Sequence, residues 1–403
     1  MPFYSEIRRM KSDMKARTLS GLKRLRSQLD KEMPIKTRNK TLVLGTWNLR
    51  NFDDNRFMSG YRTAEDFFYI AEIISRFDVI AIQEVCDDIY PLTRVMKILG
   101  RDYDFIITDL TEGRSGNTER LGFIYDKTKV SFRGVAGELV LDDLNLIEDG
   151  DKKRQFSRTP FMCAFQSGWF KFNFSTVHVY FGSDSGAKYE RRVKEIAAVA
   201  KFLKKRAERD AKKRFGKSSN HVLVGDFNIK KPGSRGFNAL EECGFKVHAN
   251  NKGSNKDQTR FYDQISFLTN PNELRFASSG KEKGVLQFFK SIYRPRDFDD
   301  YSEILDSVVK AKIKKIKSDI TSAKKRLARA KTEKTKIKAQ KEIVKKNASV
   351  AEWESHLADP ALMKKYYLKE WRTFRASDHL PLWVELEIDF SKEYLASLEK
   401  PNV

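Results

Sequence analysis

Val222-Leu223-Val224-Gly225-Asp226-Phe227-Asn228 is the stretch on which the reading of this chain turns. An apolar, β-branched run stops at a glycine, and an acid and an amide follow two residues apart. In a strand alternate residues share a face, so Asp226 and Asn228 point the same way at a strand end. Such a pair suits a metal-bound phosphate: one group carries charge and the other donates to an oxygen. A strand ending in Gly-Asp is equally an ordinary turn, so the other strand ends decide.

Working outward, residues 41–48 form a buried strand ending in the amide of Asn48, and residues 78–84 form another ending in the acid Glu84. Between them residues 69–76 are helical, with Ile70, Ile73 and Ile74 apolar. Residues 119–126 read as a third strand, preceded by a polar loop at Gly113, Gly116 and Asn117. Arg158-Thr159-Pro160 leads into residues 161–165, and β pattern resumes over 169–179, which contains His178. A lone histidine in an apolar strand is often a core residue, but a polar loop at 182–186 follows this one directly. Residues 189–209 read as a helix with Ile196, Val199, Ala200 and Leu203 on one face. Downstream, Asp263 opens a strand over 261–267, and Asp378 and His379 stand just before an apolar strand whose Pro381 suits a strand start.

Composition narrows the function classes. The chain has 403 residues, 40% of them hydrophobic and 12% aromatic, enough for a packed core. Its 78 Lys+Arg against 55 Asp+Glu give a formal charge of +23. A chain this basic meets a polyanion, usually nucleic acid, or keeps the charge for solubility. Cys86, Cys163 and Cys243 lack metal-ligand spacing, which fits reduced thiols in a cytoplasmic protein. No secretory signal or membrane-spanning stretch is expected.

Two segments flank the strand-bearing core. Residues 1–40 read as a basic amphipathic helix, with Ile7, Met10, Met14, Leu22, Leu25 and Leu29 at helical spacing. It either packs on the domain with a solvated charged face or contacts phosphates. Residues 296–359 contain neither glycine nor proline. There Val309, Ile313, Ile316, Ile320, Ala323, Leu327 and Ala330 follow heptad spacing among many lysines. This predicts a long basic helix folding back as a hairpin, able to track phosphates or to self-associate through its seam. The expected domains are residues 1–40, a core of 41–280 plus 372–390, a helical insertion over 281–371, and a tail over 391–403.

The polar groups at strand ends are Asn48, Glu84, His178, Asp226, Asn228, Asp263, Asp378 and His379. Hard oxygen ligands without clustered cysteines suit Mg²⁺ or Mn²⁺ rather than zinc. Histidines beside acids suit proton handling or phosphate contact. Together they form a kit for metal-assisted phosphodiester hydrolysis.

In order and context the pieces Thr46-Trp47-Asn48, Ile82-Gln83-Glu84, Val177-His178, Gly225-Asp226-Phe227-Asn228, Tyr262-Asp263-Gln264 and Ser377-Asp378-His379-Leu380-Pro381 resemble the endonuclease/exonuclease/phosphatase superfamily. Its members include DNase I and the exonuclease III-type enzymes. The chain most resembles bacterial members with an N-terminal helix and a helical insertion before Ser-Asp-His. The resemblance implies a DNase I-like, four-layer α/β sandwich of two facing sheets with helices outside. It implies that Glu84 ligates the metal with Asn48 and Asp378 nearby, and that Asp263 orients His379. It makes Asp226 the other candidate for proton transfer, with Asn228 and His178 holding the scissile phosphate. From residue types alone, Asp226 and His379 could exchange the role of base.

Two departures stand out. Cys86 replaces the arginine that reaches DNA in DNase I. Thr159 stands where a carboxylate partner for His178 is expected, so a second acid–histidine pair is not expected. The implied activity is a Mg²⁺-dependent nuclease on DNA or RNA. The alternatives are a phosphatase or phosphodiesterase on a phosphorylated lipid, sugar or nucleotide, and a non-catalytic nucleic-acid-binding protein.

Overall fold

The computed structural model describes residues 2–52, 54–111, 118–212, 220–269, 274–389, 391, 392 and 395. The loop expected at Gly113, Gly116 and Asn117, and most of the tail over 391–403, lie outside the described residues.

In chain order the strands are β1 (Thr41–Phe52), β2 (Val79–Val85), β3 (Tyr103–Ile107), β4 (Arg120–Asp126), β5 (Ser131–Glu138), β6 (Ile147–Asp149), β7 (Lys152–Arg154), β8 (Phe161–Ser167), β9 (Phe170–His178), β10 (Asn220–Asp226), β11 (Lys246–Val247), β12 (Asp263–Leu268), β13 (Arg275–Phe276), β14 (Lys283–Val285) and β15 (Leu382–Glu387). The first sheet runs β13-β15-β1-β2-β4-β3, with β14 also pairing on β15. The second runs β11-β12-β10-β9-β8-β5, and β6 and β7 form a separate hairpin.

The sheets face each other because each central strand carries apolar residues on both faces. In β1, Leu42 and Leu44 join the cluster between the sheets, while Val43 faces outward. In β10, Val222 and Val224 face inward and Leu223 outward. Carried to the strand ends, this period of two puts Asn48, His178, Asp226 and Asp263 on the inner faces. Gln83 is also inward. Its Nε2 donates to Thr46 Oγ1 at 3.0 Å and, across the gap, to Thr176 Oγ1 at 2.8 Å.

Helices cover the outer faces. On the first sheet lie α1 (Ser12–Glu32), α2 (Ala64–Ile74) and α3 (Tyr90–Leu99), through Leu22, Leu25 and Leu29, Phe68 and Ile70, and Leu92 and Val95. On the second lie α4 (Gly186–Ala211) and α5 (Arg235–Glu241), through Ile196, Val199, Leu203 and Leu240. The result is the expected four-layer α/β sandwich. Helix α1 packs on the domain, and several of its cations are committed within the protein: Arg17 to Glu65 at 2.9 Å, and Arg24 to the Ser291 carbonyl at 2.8 Å.

The helical insertion is present as a hairpin of α6 (Ser302–Ala328) and α7 (Glu333–Ala358). Pairs Lys317–Glu354 at 2.8 Å, Lys346–Asp319 at 2.9 Å and Arg326–Glu342 at 2.8 Å run in opposite chain directions, so the two helices are antiparallel. Val309, Ile313, Ile320 and Ala323 of α6 are buried, as are Ala339 and Val350 of α7. The apolar seam offered for self-association is thus covered by the returning helix. At the hairpin base, the Tyr301 hydroxyl donates to Glu65 Oε1 at 2.9 Å and Tyr293 to Asp66. Sheet pairing continues past residue 280, since β14 pairs with β15. All three cysteines are buried thiols. Among the described residues no helix is long and apolar enough to cross a membrane.

Candidate active site

The end of the sandwich beyond the inward-facing strand ends gathers most of the expected polar groups. Asp226 ends β10, where β9 pairs with it in parallel, so His178 lies opposite it; β12 pairs antiparallel, so Asp263 lies on its other side. Asp226 is therefore flanked by both neighbours by register alone. Gly225 is fixed by the same packing. Its φ is +128°, and a Cβ there would meet the Val177 carbonyl oxygen at 2.1 Å.

Two histidines converge on Asp226. His379 Nδ1 lies 2.7 Å from Asp263 Oδ2, and its Nε2 is 3.7 Å from Asp226 Oδ2. His178 Nδ1 lies 3.2 Å from Glu119 Oε2, and its Nε2 is 3.6 Å from the same Asp226 oxygen. A carboxylate only accepts, so each Nδ1 carries the proton and each Nε2 faces Asp226.

Glu84 reaches this group through a backbone distortion. The alternation of β2 sends Ile80 and Ile82 outward and would send Glu84 with them. Instead Glu84 adopts φ +60°, a left-handed conformation uncommon outside glycine, and both pairings of β2 shift register there. The turned carboxylate accepts Asn48 Nδ2 at 2.8 Å and the Asn51 N–H at 2.7 Å. Asn48 Nδ2 also lies 3.2 Å from Asp226 Oδ2 and so bridges the two acids. Arg50, Asn51 and Asn228 share positive φ, so strained backbone clusters at this opening.

Charge follows from these contacts. Burial and the Arg158 charge hold His178 down to about 4, so it is neutral near pH 7. Burial also disfavours charge on His379, but Asp263 and Asp226 outweigh it and raise that histidine well above its ordinary 6.5. Burial raises the Asp226 carboxyl. Burial works the same way on Glu84, but the neighbouring histidines and the Asn48 and Asn51 donors outweigh it and lower that carboxyl.

Three expectations need correction. A carboxylate partner for His178 was not expected, yet Glu119 supplies one. Antiparallel pairing of β4 with β2 sets Arg120 opposite Val85, which brings the residue before β4 beside the end of β2. Glu119 also pairs with Arg158, whose Nη1 donates to the His178 carbonyl at 3.4 Å. Asp378 is not among the converging acids: it is half-exposed and faces Arg50 Nε at 3.5 Å, because Arg50 lies over the Phe374 ring beside it. Asn228 spends its side-chain Nδ2 on the Val179 carbonyl at 2.9 Å, while its backbone N–H holds Asp226 Oδ1 at 2.9 Å. Cys86, where DNase I has its DNA-contacting arginine, is buried, and burial pushes its thiol up to about 12.

Among the described residues two clusters could hold a metal ion: Glu84, Glu119 and His178, and Asp226, Asp263 and His379. No family model matches the chain. A curated protein named deoxyribonuclease, from Thioalkalivibrio sp. (strain K90mix), is 28% identical over 193 residues, covering 47% of this chain and 46% of that one. The match thus spans about half the length of the curated relative. Similar solved structures include a mannosyl-6-phosphatase of Bacteroides thetaiotaomicron, 20% identical with TM-score 0.45 over 61% of this chain and 90% of that one. The human Nocturnin catalytic domain is 13% identical with TM-score 0.40 over 62% and 87%. Six motifs stand in chain order, and Glu84, His178, Asp226, Asp263 and His379 from them meet at one end of two facing sheets, the arrangement that the resemblance to the endonuclease/exonuclease/phosphatase superfamily implies.

Proposed function

We propose that this chain is a Mg²⁺-dependent phosphodiesterase that hydrolyses nucleic acid by attack of water on a backbone phosphorus. The observation that carries the reading is the convergence of two carboxylate-backed histidines on Asp226, at 3.6 and 3.7 Å, with Glu84 tied in through Asn48.

The donor set fits a hard divalent cation. Glu84 and Asp226 share one amide donor, with Glu119 and Asp263 behind them, and the cations facing these acids are Arg158 and His379. Buried acids in excess of cations are costly without a metal, and no thiolate is at hand. Glu84, with Asn48 beside it, would hold Mg²⁺, or Mn²⁺ in its place. Bound there, the ion supplies charge stabilisation to a phosphoryl oxygen.

The chain's own groups divide the remaining work. Asp226, oriented by the Asn228 N–H and Asn48 Nδ2, accepts the proton of the attacking water. His379, kept protonated by Asp263, donates to a phosphate oxygen as charge grows there. His178, neutral and oriented by Glu119, presents the lone pair of Nε2 to the same space.

The +23 charge, and a relative whose name is deoxyribonuclease, support nucleic acid as the substrate class. The test uses wild type and Glu84→Ala with plasmid, single-stranded DNA, RNA and phosphomonoesters in Mg²⁺. Cleavage of a polynucleotide that the variant loses is the expected result. Release of phosphate from monoesters alone would overturn the substrate class, and retardation without cleavage would overturn the catalysis.

A further inference from the structure

Beside Asn228, between α4 and the loops that follow β10 and precede β12, lies a cavity of about 370 Å³. That lies within the range of small-molecule sites, ~300–1,000 Å³, and is too large for a lone phosphate group. Its lining divides by chemistry. Tyr189, Val193, Ile196 and Ile229 give it apolar and aromatic wall.

The lining holds one acid, Asp184, against the cations Arg192, Lys230, Lys231 and Arg260. Lys230 Nζ pairs with Asp184 at 2.9 Å. Arg192, buried, donates Nη1 to the Asn228 carbonyl at 2.5 Å and Nη2 to the Ser183 carbonyl. Its guanidinium lies 5.2 Å from the Tyr189 ring centroid and 5.4 Å from that of the exposed Phe181. Arg192 Nε is buried and has no hydrogen-bond partner. Lys231 and Arg260 are exposed at the rim. A cavity with an aromatic–guanidinium wall and a spare buried donor suits a flat, hydrogen-bonding ring, and the cations that line it suit the phosphates on either side of that ring.

We propose that this cavity receives the base of a nucleotide adjoining the scissile phosphate, so that the substrate is an unpaired strand or strand end rather than intact duplex. The inference rests on the nuclease reading above and deepens it. Asn228 joins the two sites physically: its backbone N–H holds Asp226, and its carbonyl is held by Arg192. A base seated against Tyr189 and Arg192 thereby fixes the register of the backbone phosphate beside Asp226.

The test has two arms. In EDTA, single-stranded DNA and RNA oligonucleotides carrying 2-aminopurine are titrated with wild type, Tyr189→Ala, Tyr189→Phe and Thr259→Trp, the last filling the exposed rim. Stacking should quench the probe in wild type. The quench is lost in Tyr189→Ala, regained in Tyr189→Phe and lost in Thr259→Trp, with whichever sugar is preferred showing the larger effect. In Mg²⁺, KM is measured for a single strand, the same strand with abasic residues throughout, and a blunt duplex. The abasic strand and the duplex should show KM about ten- to a hundredfold above the single strand. Tyr189→Ala should bring the single strand up to the abasic value. Equal KM for all three substrates, or a quench that Tyr189→Ala and Thr259→Trp leave intact, overturns the proposal. If no polynucleotide is cleaved, the nuclease reading falls, and the quench still decides whether the cavity takes a base.

Discussion

Replacing Glu84 by alanine and by glycine separates what this position costs the fold from what it gives the site. Its φ of +60° is a conformation that costs an L-residue roughly 1–2 kcal/mol and glycine little. Both substitutions remove the same charge beside Asp226 and the same acceptor from Asn48 and Asn51. The difference between the two variants is therefore a backbone difference. In an ordinary strand, glycine is worse than alanine by roughly 0.5–1 kcal/mol. At position 84 the sign should reverse, with Glu84→Gly about 1 kcal/mol more stable than Glu84→Ala. Urea unfolding in EDTA reads this as a shift in midpoint at constant slope. Mg²⁺ at a hundred times its Kd should then add about 2.7 kcal/mol to wild type and little to either variant. If alanine matches or exceeds glycine, the left-handed turn is not the source of strain. If both variants keep the Mg²⁺ increment, Glu84 does not hold the ion.

Asp263→Asn removes the carboxylate behind His379 and should lower kcat by about 10²–10⁴-fold with the fold intact, checked by turnover and circular dichroism together; Glu119→Gln should do the same for His178, to a smaller extent. Lys312, over the Trp353 ring at 4.2 Å and the Tyr366 ring at 4.8 Å, is lowered by burial from 10.5 to about 8. The unfolded chain then holds a proton that the folded chain releases between pH 8 and 10.5, so this residue's contribution makes stability rise with pH across that window; Lys312→Met should flatten the rise and stabilise the protein at pH 7 by ~1–3 kcal/mol, measured by denaturation at pH 7 and 9.5. Exchanging the exposed Lys310, Lys314, Lys324 and Lys325 for glutamine should weaken nucleic acid binding and reduce the slope of log K against log salt, by up to ~0.9 for each phosphate no longer neutralised; an unchanged slope would remove the hairpin from the binding surface.

The strand ends were legible because a hydrophobic period of two ends abruptly in a polar group, and that period also fixes which face the group shares. It located Asn48, His178, Asp226 and Asp263, which are the residues whose orientation simple alternation carries. Glu84 was found by type, but its orientation was not legible, since alternation points it outward and only the register shift turns it back. Glu119 was missed for a topological reason. Asn48, Glu84, His178 and Asp226 stand at or near the C-terminal ends of their strands, whereas β4 runs against β2 and delivers its first residues to the site. An acid at the start of an apolar run, as Asp263 is at the start of β12, was the available signal. Asp378 was misplaced because sequence proximity to His379 says nothing about Arg50, which comes from a strand more than three hundred residues earlier. The hairpin was legible because heptad spacing without glycine or proline leaves few alternatives, while its covered seam depended on ion pairs between limbs that no local pattern encodes.

The order of assembly has a consequence for a cell making this protein. β15 lies against β1, Thr41 opposite Glu387, so the earliest and latest strands of the core are neighbours. A growing polypeptide carries Asn48, Glu84, His178, Asp226 and Asp263 well before His379 has been translated. The last strand to emerge must also close the sheet against the first. Synthesis thus acts as a safety catch on the proposed activity: a ribosome-bound chain, surrounded by messenger and ribosomal polynucleotides, lacks one of the site's histidines until the core is nearly finished.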